Sequence, residues 1–293
     1  MNIQWFPGHM TKTKRMIAEH IRLCDCVIEL CDARCPQSSR NPQLPSLIGN
    51  KKLLLVINKS DIADPVQTQK WIERFKNEGI MAISICSNDA KSIGKVFDAV
   101  KELLKEKTER DKARGYVNKP ARVMVCGIPN VGKSSFINKL YGKSVAKAGD
   151  KPGVTRGKQW ITLKNGMELL DTPGILWPKF DDRKVGENLA ITGAIKDAVV
   201  DVEEIAVTLC GRLRQLYPAL LGERYKLGDM AQYEELQNFE LFELIGRKRG
   251  FLISGGEINT ERTANMLLDE FRAATTGPQR GPRPASSTPQ MAE

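Results

Sequence analysis

The segment from Gly127 to Ser134 has the spacing G-x-x-x-x-G-K-S, which is typical of a loop that binds nucleotide phosphates. Glycines let the backbone turn its N–H groups toward phosphate oxygens, and the start of a following helix adds positive potential. Lys133 can reach the β- and γ-phosphates, and the Ser134 hydroxyl can bind Mg²⁺. The apolar run Val123–Cys126 and the helix-like segment Ser135–Leu140 supply the expected flanks. We therefore predict a nucleotide site that includes Asn130, Val131, Gly132, Lys133, Ser134 and Ser135.

A second polar motif, Asn58-Lys59-Ser60-Asp61, follows an apolar run and has the form of a guanine-binding sequence. The Asp61 carboxylate only accepts hydrogen bonds, so it can take the N1–H and N2 amino groups of guanine, which adenine does not present. We expect Asn58 to fix the loop and the Lys59 stem to cover the ring. A polar turn after a strand explains the tetrapeptide alone equally well, but a nearby phosphate loop favours guanine binding. We expect the backbone around Ser84 and Cys86 to complete the base pocket.

The D-T-P-G sequence that begins at Asp171 is the third motif with nucleotide chemistry. Asp171 is suited to hold Mg²⁺ through water, and the Gly174 N–H is expected near the γ-phosphate. Thr155 lies between the phosphate loop and this motif, where it could bind Mg²⁺ together with GTP. Thr162 also lies in that interval, although on a predicted strand. The predicted metal ligands are therefore Ser134, Thr155 and Asp171.

Composition and charge narrow the class of protein. The 293 residues are enough for two domains, and the 41% hydrophobic and 27% charged content is ordinary for a soluble chain. The net charge of +10 suggests an anionic partner, with nucleic acid the first candidate. No apolar run has the roughly 20 residues that span a bilayer, and no signal peptide is evident, so we expect a cytoplasmic protein. The seven cysteines are expected to be reduced core thiols, because they lie mostly in apolar runs. Cys24, Cys26, Cys31 and Cys35 lie close together, but their spacing matches no zinc pattern.

The distribution of charge separates the two halves of the chain. Residues 1–192 carry 33 basic and 20 acidic side chains, whereas residues 193–275 carry 10 and 14. Apolar runs that predict strands, among them Cys26–Cys31, Lys52–Ile57 and Val123–Cys126, alternate with helical patterns up to about residue 184, and residues 106–119 are expected to form an exposed charged connection. Helical periodicity alone follows, over Leu189–Ile195, Val202–Leu216, Tyr233–Ile245 and Thr260–Ala274. The prediction is an α/β domain with a mostly parallel sheet over residues 1–184, an all-α domain over 185–275 and a disordered tail over 276–293.

The order of the motifs is unusual, because the guanine motif precedes the phosphate loop and D-T-P-G comes last. Conventional GTPases have the order phosphate loop, Thr, DxxG and guanine motif, so the order here is a circular permutation of theirs. The sequence resembles the circularly permuted GTPases, and among them the ribosome-assembly GTPase A family, up to about residue 275. The resemblance includes Trp5-Phe6-Pro7-Gly8-His9-Met10, Asp32-Ala33-Arg34 and Ile245-Gly246-Arg247-Lys248-Arg249-Gly250. It implies a circularly permuted P-loop GTPase domain that binds GTP and GDP, hydrolyses GTP, and assists late assembly of the large ribosomal subunit through its rRNA.

Hydrolysis requires a group that orients the attacking water. Ras-type enzymes use a Gln after DxxG, but Ile175 occupies that position and cannot do so. His9 is the candidate, because the family is implied to use this residue, although it could instead cap the first helix or pack beside Trp5. Lys133 is the second predicted catalytic residue. Asn130 suggests a K⁺ ion at the phosphates, as in related potassium-activated enzymes, with a turn-forming Asn as the alternative.

The expected partners are the large ribosomal subunit and its rRNA. We expect no membrane or DNA partner, and a monomer. The best candidates for RNA contact in the helical domain are Arg247, Lys248 and Arg249, although a solvated basic helix end is a competing interpretation. Because D-T-P-G leads into the helical domain, we expect the γ-phosphate to couple to RNA binding. Two other functions remain open: a GTP-gated RNA-binding switch with little turnover, and a GTPase acting on another RNA or at the membrane.

Overall fold

The computed structural model describes residues 17–116, 119–142, 160–163, 166–172 and 182–273. These residues form two compact units. One contains the described residues of 17–61 and 66–172, and the other contains residues 182–273 together with the short segment 62–65.

The first unit is built on a six-stranded sheet with the order β3-β2-β1-β4-β6-β5. Every neighbouring pair is parallel except β5 and β6, which are antiparallel. The central strands are buried because they are continuous apolar runs, as expected for a parallel sheet covered on both faces. The strands are β1 Cys26–Asp32, β2 Lys52–Asn58, β3 Met81–Ser84, β4 Arg122–Gly127, β5 Trp160–Thr162 and β6 Glu168–Asp171.

Helices connect the parallel strands. Residues 17–20 are helical, and the helices that follow in this unit are α1 Leu44–Ile48, α2 Pro65–Asn77, α3 Ala90–Leu103, α4 Lys105–Ala113 and α5 Lys133–Tyr141. The Asp89 carboxylate begins α3 by accepting the N–H groups of Lys91 and Ser92. One face of the sheet is covered by Ile17, Ile21, Leu44 and Ile48, which pack on Val27, Met124, Cys126 and Leu170. The mostly parallel α/β fold predicted from the sequence is therefore confirmed.

The second unit consists of helices over its described residues, with one isolated antiparallel bridge between Leu252 and Ile258. Its helices are α6 Arg183–Ile191, α7 Val202–Leu216, α8 Pro218–Tyr225, α9 Asn238–Lys248 and α10 Thr260–Arg272. The core forms where α7, α9 and α10 meet, and it includes the fully buried side chains of Leu209, Phe242, Ile245 and Phe271. Arg272 ties the end of α10 to α6, because its guanidinium donates to the carbonyls of Ala190 and Ile191 and pairs with Asp197.

Three segments differ from the sequence-based expectation. The charged connection expected over residues 106–119 contains α4, a helix with no buried residue, since Lys, Glu and Arg favour helices and Lys107 pairs with Asp111 one turn later at 2.6 Å. The helix predicted from Tyr233 instead begins at Asn238, because Gln237 and Glu240 form a capping box there. The short helix α8 was not predicted. Within the described ranges, no helix is long and apolar enough to cross a bilayer.

Close packing between α9 and α10 leads to a test of stability. A Cβ atom at Gly246 would lie 2.5 Å from Thr263 Oγ1 and 2.8 Å from Ile258 Cγ2, so Gly246→Ala should lower the free energy of unfolding by about 1–3 kcal/mol. Gly94, inside α3, is the matched control, because a Cβ there would meet nothing within 4 Å. Gly94→Ala should raise stability by up to about 1 kcal/mol through helix propensity. Urea unfolding of both variants checks the opposite signs, and a neutral Gly246→Ala would contradict the packing.

Candidate nucleotide-binding site

The three adjacent parallel strands β2, β1 and β4 bring the polar motifs together. Asn58 ends β2, Asp32 ends β1, and the phosphate loop begins at the end of β4. Because the strands run in the same direction, their carboxyl ends lie at one edge of the sheet, where open α/β sheets bind ligands. Because β1 lies between β2 and β4, the guanine motif and the phosphate loop lie on opposite sides of the end of β1, each one inter-strand spacing of about 5 Å away.

Asn58 connects three loops at this edge. Its side chain is buried, and its Nδ2 donates to the carbonyl of Val131 in the phosphate loop at 2.8 Å. Its Oδ1 accepts from the Ser87 hydroxyl at 2.7 Å and from the Ser87 N–H at 3.2 Å, in the loop that follows β3. A buried amide with both ends satisfied fixes its neighbours strongly, since loss of either partner would leave a desolvated polar atom.

Lys59 makes the second direct link between the two motifs. Its Nζ donates to the carbonyl of Asn130 at 2.8 Å and to Asp32 Oδ2 at 2.9 Å. The backbones of Lys59 and Asn130 both adopt positive φ, 62° and 58°, a conformation that non-glycine residues rarely adopt. Asn tolerates this conformation better than Lys does, which agrees with the turn-forming interpretation of Asn130. The Lys59 contact therefore joins two backbone positions held in an uncommon conformation.

Asp32 carries a buried negative charge that two cations balance. Arg34 Nε and Nη2 donate to its two carboxylate oxygens at 2.9 and 2.7 Å, and the Arg34 backbone N–H donates at 3.0 Å. Burial alone would raise the pKa of Asp32, but the charges of Arg34 and Lys59 and the hydrogen bonds from Arg34 hold it well below its ordinary value. The carboxylate is therefore ionised at neutral pH.

The phosphate loop adopts a backbone geometry at Gly132 that requires glycine. Gly132 has a φ of 93°, and a Cβ there would lie 2.5 Å from Asn58 Nδ2, so no other residue fits without displacing the amide. Helix α5 begins directly after it, with Lys133 buried, Ser134 partly buried and Ser135 exposed. The ammonium of Lys133 forms an ion pair with Asp171 at the end of β6. Phosphate binding by Lys133 and Mg²⁺ binding by Asp171 would each replace this pair.

The residues around the predicted base pocket are partly exposed. Asp61 is exposed at the start of the turn after β2, and the Ser60 N–H donates to the carbonyl of Ile85 at 3.1 Å. Burial raises the pKa of the Cys86 thiol, and a hydrogen bond to the Asp61 carboxylate adds to this shift. The backbone N–H of Cys86 donates to Ser92 Oγ at 2.9 Å, so that group already has a partner. Ser84 ends β3 and is partly buried.

The structure places three further residues at this edge of the sheet, and three of the predicted residues lie outside its described part. Ser87 and Asp32 contact the predicted residues Asn58 and Lys59, and Arg34 binds Asp32. In the sequence only the Asp32-Ala33-Arg34 segment was noted, and without a role. The position of Asp32 at the carboxyl end of a buried strand was a usable signal for it. His9, Thr155 and Gly174 lie outside the described residues, so their predicted roles remain predictions.

Mg²⁺ fits the chemistry of the residues present. Ser134 and Asp171 offer a hydroxyl and a carboxylate, and oxygen ligands completed by phosphate and water are those that Mg²⁺ prefers. The Asp171 carboxylate pairs with Lys133 in this structure, so Mg²⁺ would take the place of the ammonium on that carboxylate. Together with the start of α5, this end of the site can stabilise a polyphosphate.

Comparison with known proteins agrees with this geometry. Residues 122–221 match a family model described as a 50S ribosome-binding GTPase. The ribosome biogenesis GTPase A of Bacillus pumilus is 45% identical over 286 residues, which cover 98% of this chain and 100% of that protein. The protein of the same name from Priestia megaterium is 47% identical over 279 residues, covering 94% of this chain and 95% of the relative.

Two solved structures also match over nearly the whole chain. A GDP-bound YlqF has a TM-score of 0.64 and 27% identity, with 90% of this chain and 96% of that chain covered. GNP-bound YlqF from T. maritima has a TM-score of 0.61 and 28% identity, covering 91% and 95%. The motif order in this sequence, guanine motif before phosphate loop, is that of a circularly permuted GTPase domain. The chain therefore belongs to the ribosome biogenesis GTPase A family and is a circularly permuted GTP hydrolase.

Proposed function

We propose that this protein binds the precursor of the large ribosomal subunit through its rRNA and hydrolyses GTP to drive or check a late step of subunit assembly. The observation that carries the nucleotide part is the pair of hydrogen bonds that join Asn58 to Val131 and Lys59 to Asn130. They hold the guanine motif against the phosphate loop, as one bound nucleotide requires. The family of the chain and the description of the matching family model support the ribosomal part.

The proposed nucleotide contacts follow from the chemistry of each side chain. Asp61 accepts the two guanine donors, while Ser84 and Cys86 border the base and the Lys59 stem covers its face. The N–H groups of residues 130–135 bind phosphate oxygens at the start of α5, and Lys133 binds the β- and γ-phosphates. Gly174 donates to the γ-phosphate in this proposal. Asn58 acts indirectly, by fixing both loops.

Ser134, Thr155 and Asp171 are the proposed ligands of Mg²⁺, which would neutralise charge on the β- and γ-phosphates. Lys133 and Asp171 separate when the nucleotide binds, because the ammonium then contacts phosphate. A K⁺ ion beside Asn130 is a further hypothesis from the sequence. Equal turnover in Na⁺ and K⁺ at the same ionic strength would remove it.

The distribution of charge along the chain indicates where contacts with rRNA are to be proposed. The helical unit is acidic overall, so attraction to rRNA must be local there, and the basic excess of residues 1–192 supplies the rest. Of the three basic residues near the end of α9, Arg247 and Lys248 are exposed. Arg249 is partly buried, pairs with Glu270 at 3.1 Å and lies over the Tyr225 ring. Arg247 and Lys248 are therefore the stronger candidates for phosphate contact.

Guanine selectivity can be reversed at Asp61. In Asp61→Asn the side chain keeps one acceptor and gains a donor, which fits the C2 carbonyl of xanthine and not the amino group of guanine. The affinity for GDP should fall about 100-fold or more, and the affinity for xanthosine diphosphate should rise above it. Titration with both fluorescent nucleotides measures this change. Asp98→Asn, an exposed carboxylate on α3, is the matched control and should leave both affinities unchanged.

His9 is tested through turnover. His9→Ala should retain the affinity for GTP, because the residue is proposed to act on the attacking water, but should lose about 100-fold or more of the turnover that large-subunit particles stimulate. Single-turnover hydrolysis with and without particles measures this loss. Undiminished stimulated turnover in the variant would dismiss His9. Wild-type protein that binds GTP and particles without hydrolysis would instead indicate a GTP-gated binding switch.

Nucleotide-dependent binding tests the assembly role. Affinity for immature large subunits should be about tenfold higher with a GTP analogue than with GDP, since coupling free energies of 1–3 kcal/mol are typical. Arg247→Ala/Lys248→Ala should weaken binding in both nucleotide states and reduce its salt dependence, because phosphate contacts are lost. Sedimentation with purified particles measures both effects. Equal binding with GDP and the GTP analogue would contradict the proposed switch.

A further inference from the structure

We infer that Asp32 and Arg34 are positioning residues of the nucleotide site. Asp32, fixed by Arg34, holds the ammonium group of Lys59 on the carbonyl of Asn130. This contact slows the release of guanine nucleotides. The inference rests on the proposed nucleotide contacts and assigns a role to a loop that contacts neither base nor phosphate in that proposal. That loop, residues 33–43, connects β1 to α1 and lies between the guanine motif and the phosphate loop.

The Asp32 carboxylate is a fixed acceptor. Three donors of Arg34 hold it within 2.7–3.0 Å, and the side chains of both residues are at most 3% exposed. Its own backbone N–H donates to Ser39 Oγ at 2.8 Å. The Ala33 N–H donates to the carbonyl of Asn58 at 2.9 Å, which extends the strand pairing past Asp32. Asp32 is therefore fixed in position relative to the guanine motif.

The rest of the loop is anchored to the sheet by a second buried carboxylate. Glu29, three residues before Asp32 on β1, accepts from the Asn41 N–H at 2.7 Å and from Arg40 Nε at 3.3 Å. Cys35 and Ser39 in the same loop are fully buried. The loop is thus a rigid part of the fold, and the Asp32–Lys59 ion pair at its start reaches into the nucleotide site.

Lys59 needs this support because its ammonium is partly solvated. Its side chain is 24% exposed, and its bond to the Asn130 carbonyl alone would compete with water. A carboxylate 2.9 Å away, itself inaccessible to water, holds the ammonium where it also reaches the phosphate loop. Asp32 also balances Arg34, whose positive charge is close enough to Asp61 to interact with it.

These contacts act on nucleotide retention and not on the chemical step. The Lys59–Asn130 link joins the base-binding side of the pocket to the start of the phosphate loop, and it is equally available with a diphosphate or a triphosphate. An interaction made equally in ground state and transition state changes KM and dissociation rates but leaves kcat unchanged. Loss of Asp32 should therefore speed the release of both GDP and GTP.

A double-mutant cycle tests whether Asp32 acts through Lys59. Asp32→Asn should speed GDP dissociation about tenfold in the wild-type background and less than about twofold in the Lys59→Met background. In Asp32→Asn alone, the maximal rate of particle-stimulated hydrolysis at saturating GTP should stay within about twofold of the wild-type rate. Stopped-flow release of a fluorescent GDP and steady-state hydrolysis measure the two quantities. Equal acceleration in both backgrounds, or none in either, would overturn the inference.

Controls separate this role from stability and from the proposed function itself. Glu29→Gln perturbs the other buried carboxylate of β1 and should lower the unfolding temperature without changing GDP release. If Asp32→Asn folds poorly, Asp32→Asn/Arg34→Met removes both buried charges together and should give the same accelerated release. Slow release in that folded double variant would also overturn the inference. If the wild-type protein showed no affinity for guanine nucleotides, that result would instead contradict the proposed function.

Discussion

The buried amide of Asn58 is the interaction on which the site depends. It is the point where the loops after β2, β3 and β4 meet, because its nitrogen binds Val131 and its oxygen binds Ser87. Neither bond could be replaced by water, since the side chain is only 1% exposed. Hydrogen bonds in such an environment are costly to leave unmade, so the three loops are fixed as one unit. The absence of a Cβ at Gly132 is a condition for this arrangement.

The buried charged side chains near this amide fix the positions of atoms in the site more than they stabilise the fold. Asp32, Arg34 and Glu29 are all inaccessible to water. Desolvating such groups costs several kcal/mol each, and their mutual attraction roughly offsets that cost, so buried ion pairs contribute little net stability. Burial raises the pKa of Glu29 despite the opposing charge of Arg40. Their value lies in fixing where a charged atom is found, which a catalytic or binding site requires.

The sequence predicted the sheet well because its strands are continuous apolar runs between polar ends. β1, β2 and β4 were located within one residue at their starts and ends, and the Val202–Leu216 helix was predicted with the observed bounds. Local signals were less reliable where short elements adjoin, as with α8, whose start at Pro218 directly follows the end of α7. There the helical pattern continues while the backbone leaves the helical conformation at Tyr217, where φ is −141° and ψ is 53°.

Side-chain contacts of the site could not be predicted in the same way. The motifs indicated which residues bind nucleotide, but Lys59 lies 71 residues from its partner Asn130 and 27 from Asp32. Such pairs depend on which strands are neighbours, and the order β2-β1-β4 is a property of the whole sheet. Ser87 had no motif to identify it. Its hydroxyl matters only because β3 ends beside β2.

The permuted strand order has a consequence for the biosynthesis of the chain. β1 occupies the middle of the sheet, yet among the described strands it leaves the ribosome first, and β2 and β3 follow within the next 52 residues after Asp32. These three strands and their short connections can pair early, while the opposite edge of β1 waits for β4, which is roughly 40 residues further on. At synthesis rates of roughly 5–20 residues per second, the roughly 90 residues from the end of β1 to the start of β4 leave that edge unpaired for about 5–18 s. The nascent chain thus exposes an apolar central strand, and the strand that carries the phosphate loop is the one that covers it.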